Sequence, residues 1–352
     1  MSATIRKHFA TPVFGGSIFR GIVRVCFVMA TACFLLSQRM PAVPAEEATA
    51  IGSPMRIEDN PTLGRAVLRI GDRIAWEYRY GYEVDLPHYI LYSPSGQALT
   101  VERTEPYPHH RSFWFADAVQ LAGHRPANFY NAWYTRVEKS DFGPPFRDRI
   151  RHLELTAEPA GPGAMIFRKR LVWEMDQRRP VLTETRIMKV LTLGGGEYFL
   201  DLTFRLTAEY GHVDFLSDAT HYAWPFLRMV PAFSVQQGGV ITNSEGKINE
   251  EGTNMQVAKW VDYSNTVDGC TEGVAVFSHA ENEHPHRWLT RNYGTFGPRR
   301  VDEKSGKRFA LPQGQSIATR VGVLVHRGDV REGRVGERYE KYLSGTLVPL
   351  EE

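Results

Sequence analysis

The segment Tyr198–Glu209 reads Tyr-Phe-Leu-Asp-Leu-Thr-Phe-Arg-Leu-Thr-Ala-Glu, and its alternation constrains the fold more than any other feature of the chain. Tyr198, Leu200, Leu202, Phe204, Leu206 and Ala208 fall on one face, and Asp201, Thr203, Arg205, Thr207 and Glu209 on the other. A period of two sets one row of side chains against a core and the next toward water, which is the signature of a strand. Residues 66–70, 74–80, 112–118, 165–174, 181–193, 255–262, 273–278 and 317–325 have similar patterning. Turn formers punctuate them: Ser93-Pro-Ser-Gly96, Gly161-Pro-Gly163, Gly194-Gly-Gly196, Gly238-Gly239 and Gly246. Long hairpins closed by Gly-rich turns predict an all-β fold, a large antiparallel β-sandwich rather than alternating β-α units. Only Arg331–Ser344 has helical spacing, with Val335, Tyr339, Tyr342 and Leu343 on one face, so a short C-terminal helix packed on the sandwich is expected.

The N-terminus reads as a processing segment. Arg6, Lys7, Arg20 and Arg24 precede an apolar or small run from Cys26 to Leu36, and Val43-Pro44-Ala45 offers small residues for cleavage. A basic region followed by a short apolar region is the pattern of a secretory signal, and the run is too short for a membrane-spanning helix. The expected organisation is a signal peptide over 1–45, a flexible segment over 46–60 and a single domain over 61–350. The protein is expected to be periplasmic or secreted, with no membrane partner after cleavage. The whole chain carries 42 basic and 40 acidic residues. Removing Arg6, Lys7, Arg20, Arg24 and Arg39 leaves 42 − 5 = 37 basic residues against 40 acids, a net charge near −3. No basic stripe suited to nucleic acid remains.

Chemistry concentrates in loops. Glu105-Pro-Tyr-Pro-His109-His110-Arg111-Ser-Phe-Trp114 joins two imidazoles and a guanidinium to an aromatic strand. Imidazole titrates near neutral pH, and guanidinium presents fixed paired donors to carboxylates or hydroxyls. A second cluster, from Ser278 to Gly297, holds His279, Asn282, His284, His286, Trp288, Arg291 and Tyr293. Aromatic faces beside polar donors suit a pyranose, whose faces are apolar and whose rim is polar. Asp218-Ala-Thr-His221-Tyr222-Ala-Trp224 and Asn128-Phe-Tyr130-Asn131-Ala-Trp133 complete the set. His110, His221 and Tyr293 are candidate catalytic groups. His109, Arg111, Trp114, Asn131, Asn282, Trp288 and Arg291 are candidate ligand contacts. No HExxH, paired CxxC, Walker loop or dinucleotide fingerprint is present, so neither a metal nor a cofactor is expected.

Pro108-His-His-Arg111 with Phe113-Trp114-Phe, preceded by Tyr92-Ser-Pro-Ser-Gly96, resembles the PmoA-like family of bacterial exported proteins, often labelled "methane oxygenase". The block His279, Asn282, Trp288, Arg291, Tyr293-Gly294 and Phe296 is similar to that family's late motif, as are Trp260-Val-Asp-Tyr263 and Val325-His326-Arg-Gly328. Ala280 and Glu283 depart from it, standing where prolines are expected, and Ser217–Arg228 lacks the family's Glu-Gly-Gly-like stretch. His221 is therefore this chain's own feature.

The resemblance implies a galactose-mutarotase-like supersandwich, a scaffold that hosts sugar epimerases, polysaccharide lyases and glycan-binding modules. A methane monooxygenase subunit would need several spanning helices, which residues 46–352 lack. The expected function is a carbohydrate-active protein with a His/Arg/aromatic pocket for a sugar or another small polar ligand. Epimerisation, β-elimination from a uronate-containing glycan, non-catalytic glycan binding and metal-dependent chemistry all stay open at this point.

Overall fold

The computed structural model describes residues 54–135, 144–216, 222–282, 286–299 and 309–347. The expected signal segment, 1–45, lies outside the described residues. Two eight-stranded antiparallel sheets dominate the domain. The first runs in the order Met55–Asn60, Arg65–Ile70, Arg73–Arg79, His88–Leu91, Phe113–Trp114, Phe226–Arg228, Thr295–Arg299, Arg287–Arg291. The second runs Val240–Asn243, Trp260–Val267, Cys270–Ser278, Ser316–Arg327, Glu197–Thr207, Arg179–Gly194, Ala164–Met175, Arg149–Pro159. A smaller sheet joins Ala310–Leu311, Val213–Phe215, Ala118–Leu121 and Pro126–Asn128.

The alternation read from the sequence is the one that folds. Tyr198, Leu200, Leu202, Phe204, Leu206 and Ala208 are buried in the main core, each contributing roughly 1.5–3 kcal/mol for the larger apolar side chains. On the opposite face Phe199 is buried as well. It joins Leu191, Phe277 and Leu324 beneath Val335, Tyr339 and Tyr342 of the helix Val335–Leu343. The expected all-β sandwich with a C-terminal helix is therefore the observed architecture. Among the described residues no helix is long and apolar enough to cross a membrane.

Three expectations change. The segment 46–60 was expected to be flexible, but Met55–Asn60 is an edge strand paired with Arg65–Ile70, because Met55 and Ile57 alternate onto the core. The strand expected over 255–262 begins at Trp260 instead, since Met255 has φ 59° in the turn that precedes it. The strand expected over 112–118 shortens to Phe113–Trp114, and Ala118 starts a strand of the smaller sheet.

Two landmarks of the resemblance meet in the second sheet. His326 Nε2 lies 2.7 Å from Asp262 Oδ1, with both side chains fully buried. Gly273 lies between their strands, where a Cβ would come within 2.9 Å of the His326 ring. Burial alone would push this imidazole down in pKa, but the facing Asp262 carboxylate draws it up.

Candidate functional site

The loop after Thr100 folds back on itself before it enters the first sheet. Arg103 N–H donates to the His110 carbonyl at 3.0 Å, and His110 N–H donates to the Tyr107 carbonyl at 2.9 Å. Beneath the loop, Arg111 and Asp85 are fully buried. Arg111 Nε and Nη2 donate to Asp85 Oδ1 at 2.9 and 2.7 Å, while Nη1 donates to the Pro108 and His110 carbonyls at 2.9 and 3.2 Å. The Trp133 ring lies 4.9 Å from the Arg111 guanidinium carbon and 4.3 Å from that of Arg103. Arg111 is thus a clamp that fixes the double-histidine turn. It was expected to contact ligand, but it is fully buried and four of its five N–H donors are taken up inside the fold.

Above the clamp the aromatic rings converge. His110 is 4% exposed, with Nε2 3.1 Å from the Tyr130 hydroxyl and Nδ1 3.4 Å from Thr295 Oγ1. Its ring stacks on Tyr107 at 5.0 Å and Tyr293 at 6.4 Å, and lies 5.4 Å from Trp114 and 4.6 Å from His109. Tyr107 and Tyr293 are themselves 5.2 Å apart. His109 Nδ1 lies 2.9 Å from the Tyr134 hydroxyl. The guanidinium of Arg228 sits 4.7 Å over the Tyr293 ring and donates to the Tyr293 carbonyl. Tyr107 and Tyr134 are exposed, His109 and Tyr293 half-buried, and His110, Trp114, Tyr130 and Arg228 buried. An open rim therefore rests on a packed, hydrogen-bonded base.

Both imidazoles are held neutral. Burial lowers the His110 pKa to about 2, reinforced by the charges of His109, Arg228 and Arg111. Burial and Arg111 lower His109 to about 4. Burial raises the Tyr130 and Tyr293 phenols, which stay protonated. A general acid or base works best with a pKa near the working pH. His110 is far from that, and its ring nitrogens already face Tyr130 and Thr295. The arrangement offers neutral donors, acceptors and ring faces, which is the chemistry of holding a polar ligand.

The remaining candidates divide sharply. Trp114 is buried beneath His110 and stacks on Phe226 at 5.0 Å, so it supports the surface without forming part of it. Trp288 was expected to stack on ligand. It is fully buried, and its Nε1 donates to the Ala258 carbonyl at 2.8 Å, because its strand position faces the core. Asn282 clamps the Arg320 backbone, accepting its N–H at 2.7 Å and donating to its carbonyl at 2.6 Å on the second sheet. Arg291 pairs with Glu250 at 3.4 Å and donates to the Thr290 carbonyl. Asn131 stands at the start of the turn Ala132–Tyr134, and its Oδ1 is buried without a hydrogen-bond partner. His221 lies outside the described residues. Among the described residues no group of three or more His, Cys, Asp or Glu is placed to hold a metal ion.

Tyr107, Tyr130, Tyr134, Arg228 and Thr295 escaped the sequence reading. Tyr107 and Tyr130 stand inside motifs already singled out, so an aromatic between two prolines and one beside Asn131 were available signals. Arg228 gave none, because only the pairing of Phe226–Arg228 with Phe113–Trp114 and Thr295–Arg299 brings it to the loop.

Fold and site together define an all-β sandwich protein with an aromatic and imidazole surface on its first sheet. The chain belongs to the family described as a family of unknown function, DUF6807, which matches residues 65–340. No curated protein matches it. Among solved structures, the GH36 α-galactosidase AgaB from Geobacillus stearothermophilus is similar at 10% identity and a TM-score of 0.45, over 79% of this chain and 42% of that one. An α-galactosidase from Lactobacillus brevis is similar at 6% identity and 0.42, over 83% and 42%. A polysaccharide lyase is similar at 14% identity and 0.33, over 80% and 34%. The chain thus spans 34–42% of the length of these proteins, and likeness at this level transfers none of their activities.

Proposed function

We propose that this protein binds a carbohydrate on the surface formed by Tyr107, His109, Tyr134 and Tyr293, as a non-catalytic module exported through the signal pattern of residues 1–45. The PmoA-like resemblance, and with it a mutarotase-like sandwich, belongs to the same proposal. One observation carries it: neighbouring rings among Tyr107, His109, His110 and Tyr293 stand 4.6–6.4 Å apart with polar edges, over a buried hydrogen-bonded base. Ring faces stack on the apolar face of a pyranose, while phenol and imidazole edges meet its hydroxyls.

A glycan array screened with the 46–352 protein, followed by calorimetry on the strongest hits, tests this. Tyr107→Ala and Tyr293→Ala should each weaken binding about tenfold, some 1.4 kcal/mol. Folded His110→Ala should never separate binding from turnover. A sugar converted by the intact protein, with conversion lost and binding kept in His110→Ala, would reverse the assignment to an enzyme.

A further inference from the structure

A cavity lies beside the strand Arg149–Pro159, with neither His109 nor His110 in its lining. It has a volume of about 640 Å³ and is bordered by Tyr82, Phe146, the strand residues Arg149 and Arg151, and the hairpin turn that carries Gln177 and Arg178. That volume falls within the roughly 300–1,000 Å³ of small-ligand pockets. Arg149, Arg151 and Arg178 line it against one acid, Glu174, giving 3 − 1 = +2. Glu174 is already engaged: Arg151 Nη2 reaches its Oε1 at 2.6 Å and Nε its Oε2 at 3.0 Å. Neither Arg149 nor Arg178 is ion-paired among the described residues, and Arg149 Nε is buried with no hydrogen-bond partner.

The wall carrying Arg178 is set in advance. Asp176 and Gln177 hold φ values of 49° and 70° in the turn. Gln177 N–H donates to the Arg147 carbonyl at 2.7 Å. The Asp176 carboxylate is bound by Arg125 at 2.7 Å and Arg147 at 2.9 Å, so this neighbouring acid does not neutralise the cleft. On the other side the Tyr82 ring, 57% exposed, stands 5.7 Å from the Arg149 guanidinium carbon.

We propose that this cleft binds an acidic pyranose, its carboxylate taken by Arg149 and Arg178 and its ring laid on Tyr82, with the Gln177 amide placed for a hydroxyl. Guanidinium forks match carboxylates in geometry and charge. The exposed ring and the amide distinguish a sugar acid from a bare anion, which would use the arginines alone. The cleft does not depend on the His110 surface, although Phe146 meets Trp133 at 5.7 Å, next to Tyr134 in the chain.

Calorimetry with galacturonate, glucuronate, galactose and inorganic phosphate tests the proposal. At least one uronate should bind, with galactose and phosphate each about tenfold weaker or worse. Arg178→Gln, on an exposed turn, and Tyr82→Ala should each weaken that uronate about tenfold, and the loss with Arg178→Gln should shrink as salt rises. A glycan that loses affinity in Tyr107→Ala but not in Arg178→Gln reports the ring surface, and a uronate that loses affinity in Arg178→Gln reports the cleft, so the two readings fail separately. Absence of uronate binding, equal affinity for galactose, or indifference to Arg178→Gln would overturn the proposal. Phosphate binding as tight as uronate and insensitive to Tyr82→Ala would reduce the cleft to a simple anion site, which also overturns it.

Discussion

Removing the Arg111 guanidinium isolates the support of the double-histidine turn. In Arg111→Ala the Asp85 carboxylate would stay in a fully buried place with its counter-charge gone. Asp85 Oδ2 has no hydrogen-bond partner and Oδ1 receives both guanidinium bonds, so Arg111 supplies the local compensation. The Pro108 and His110 carbonyls would lose their shared donor as well. Breaking a buried pair from one side costs about 3–5 kcal/mol. Asp85→Ala should cost a similar amount. The double variant should cost less than the sum of the singles by about 0.5–3 kcal/mol, since the second change removes a charge the first has stranded. Urea unfolding followed by tryptophan fluorescence, checked against circular dichroism for a single transition, gives the three differences. A wild-type midpoint for Arg111→Ala, together with abolished sugar binding, would refute this and make Arg111 a ligand contact.

Three further outcomes follow from the same contacts. The folded pKa values of His109 and His110, about 4 and about 2, lie below the roughly 6.5 of an unfolded histidine, so the unfolded chain takes up protons that the folded chain refuses. Their contribution to stability is full above pH 6.5 and is lost as pH falls toward those values. His110→Asn should flatten the dependence between pH 6.5 and 5, and an unchanged slope in denaturant titrations would contradict the assignment. Lys169 is fully buried, its amine has no hydrogen-bond partner, and burial drives its pKa well down among Trp76, Tyr78, Tyr89 and Phe167, which lie 5.1–5.5 Å away. Lys169→Met should stabilise the protein by about 1–3 kcal/mol, whereas a loss on unfolding would mean that the rings hold a charged amine more tightly than burial penalises it. Trp288→Phe should cost roughly 2 kcal/mol through the lost Ala258 bond and volume, and should leave glycan affinity intact by calorimetry.

Alternation made the sandwich legible, because a period of two fixes which side chains meet the core regardless of the partner strand. The same reasoning explains the turn at Met255 and the shortened strand at Phe113, where patterning continued but the backbone left the sheet. The site was half legible. His109, His110 and Tyr293 converge as their composition suggested. Trp288 and Asn282 share a motif with Tyr293 yet serve the core and a backbone clamp, since loop composition does not say which way a side chain turns. Arg111 was misread because its partner, Asp85, stands 26 residues earlier and carried no signal of its own. Arg228 depends on strand order, which no local pattern encodes.

Side-chain NMR of the histidines during titration with the best-binding glycan shows whether ligand meets the ring surface around His110. His109→Asn and His110→Asn would assign the two resonances. Both should shift and saturate at the affinity found by calorimetry, while the resonance of His326, sealed in the second sheet, should stay still. Saturable binding that leaves His109 and His110 unmoved would contradict that contact.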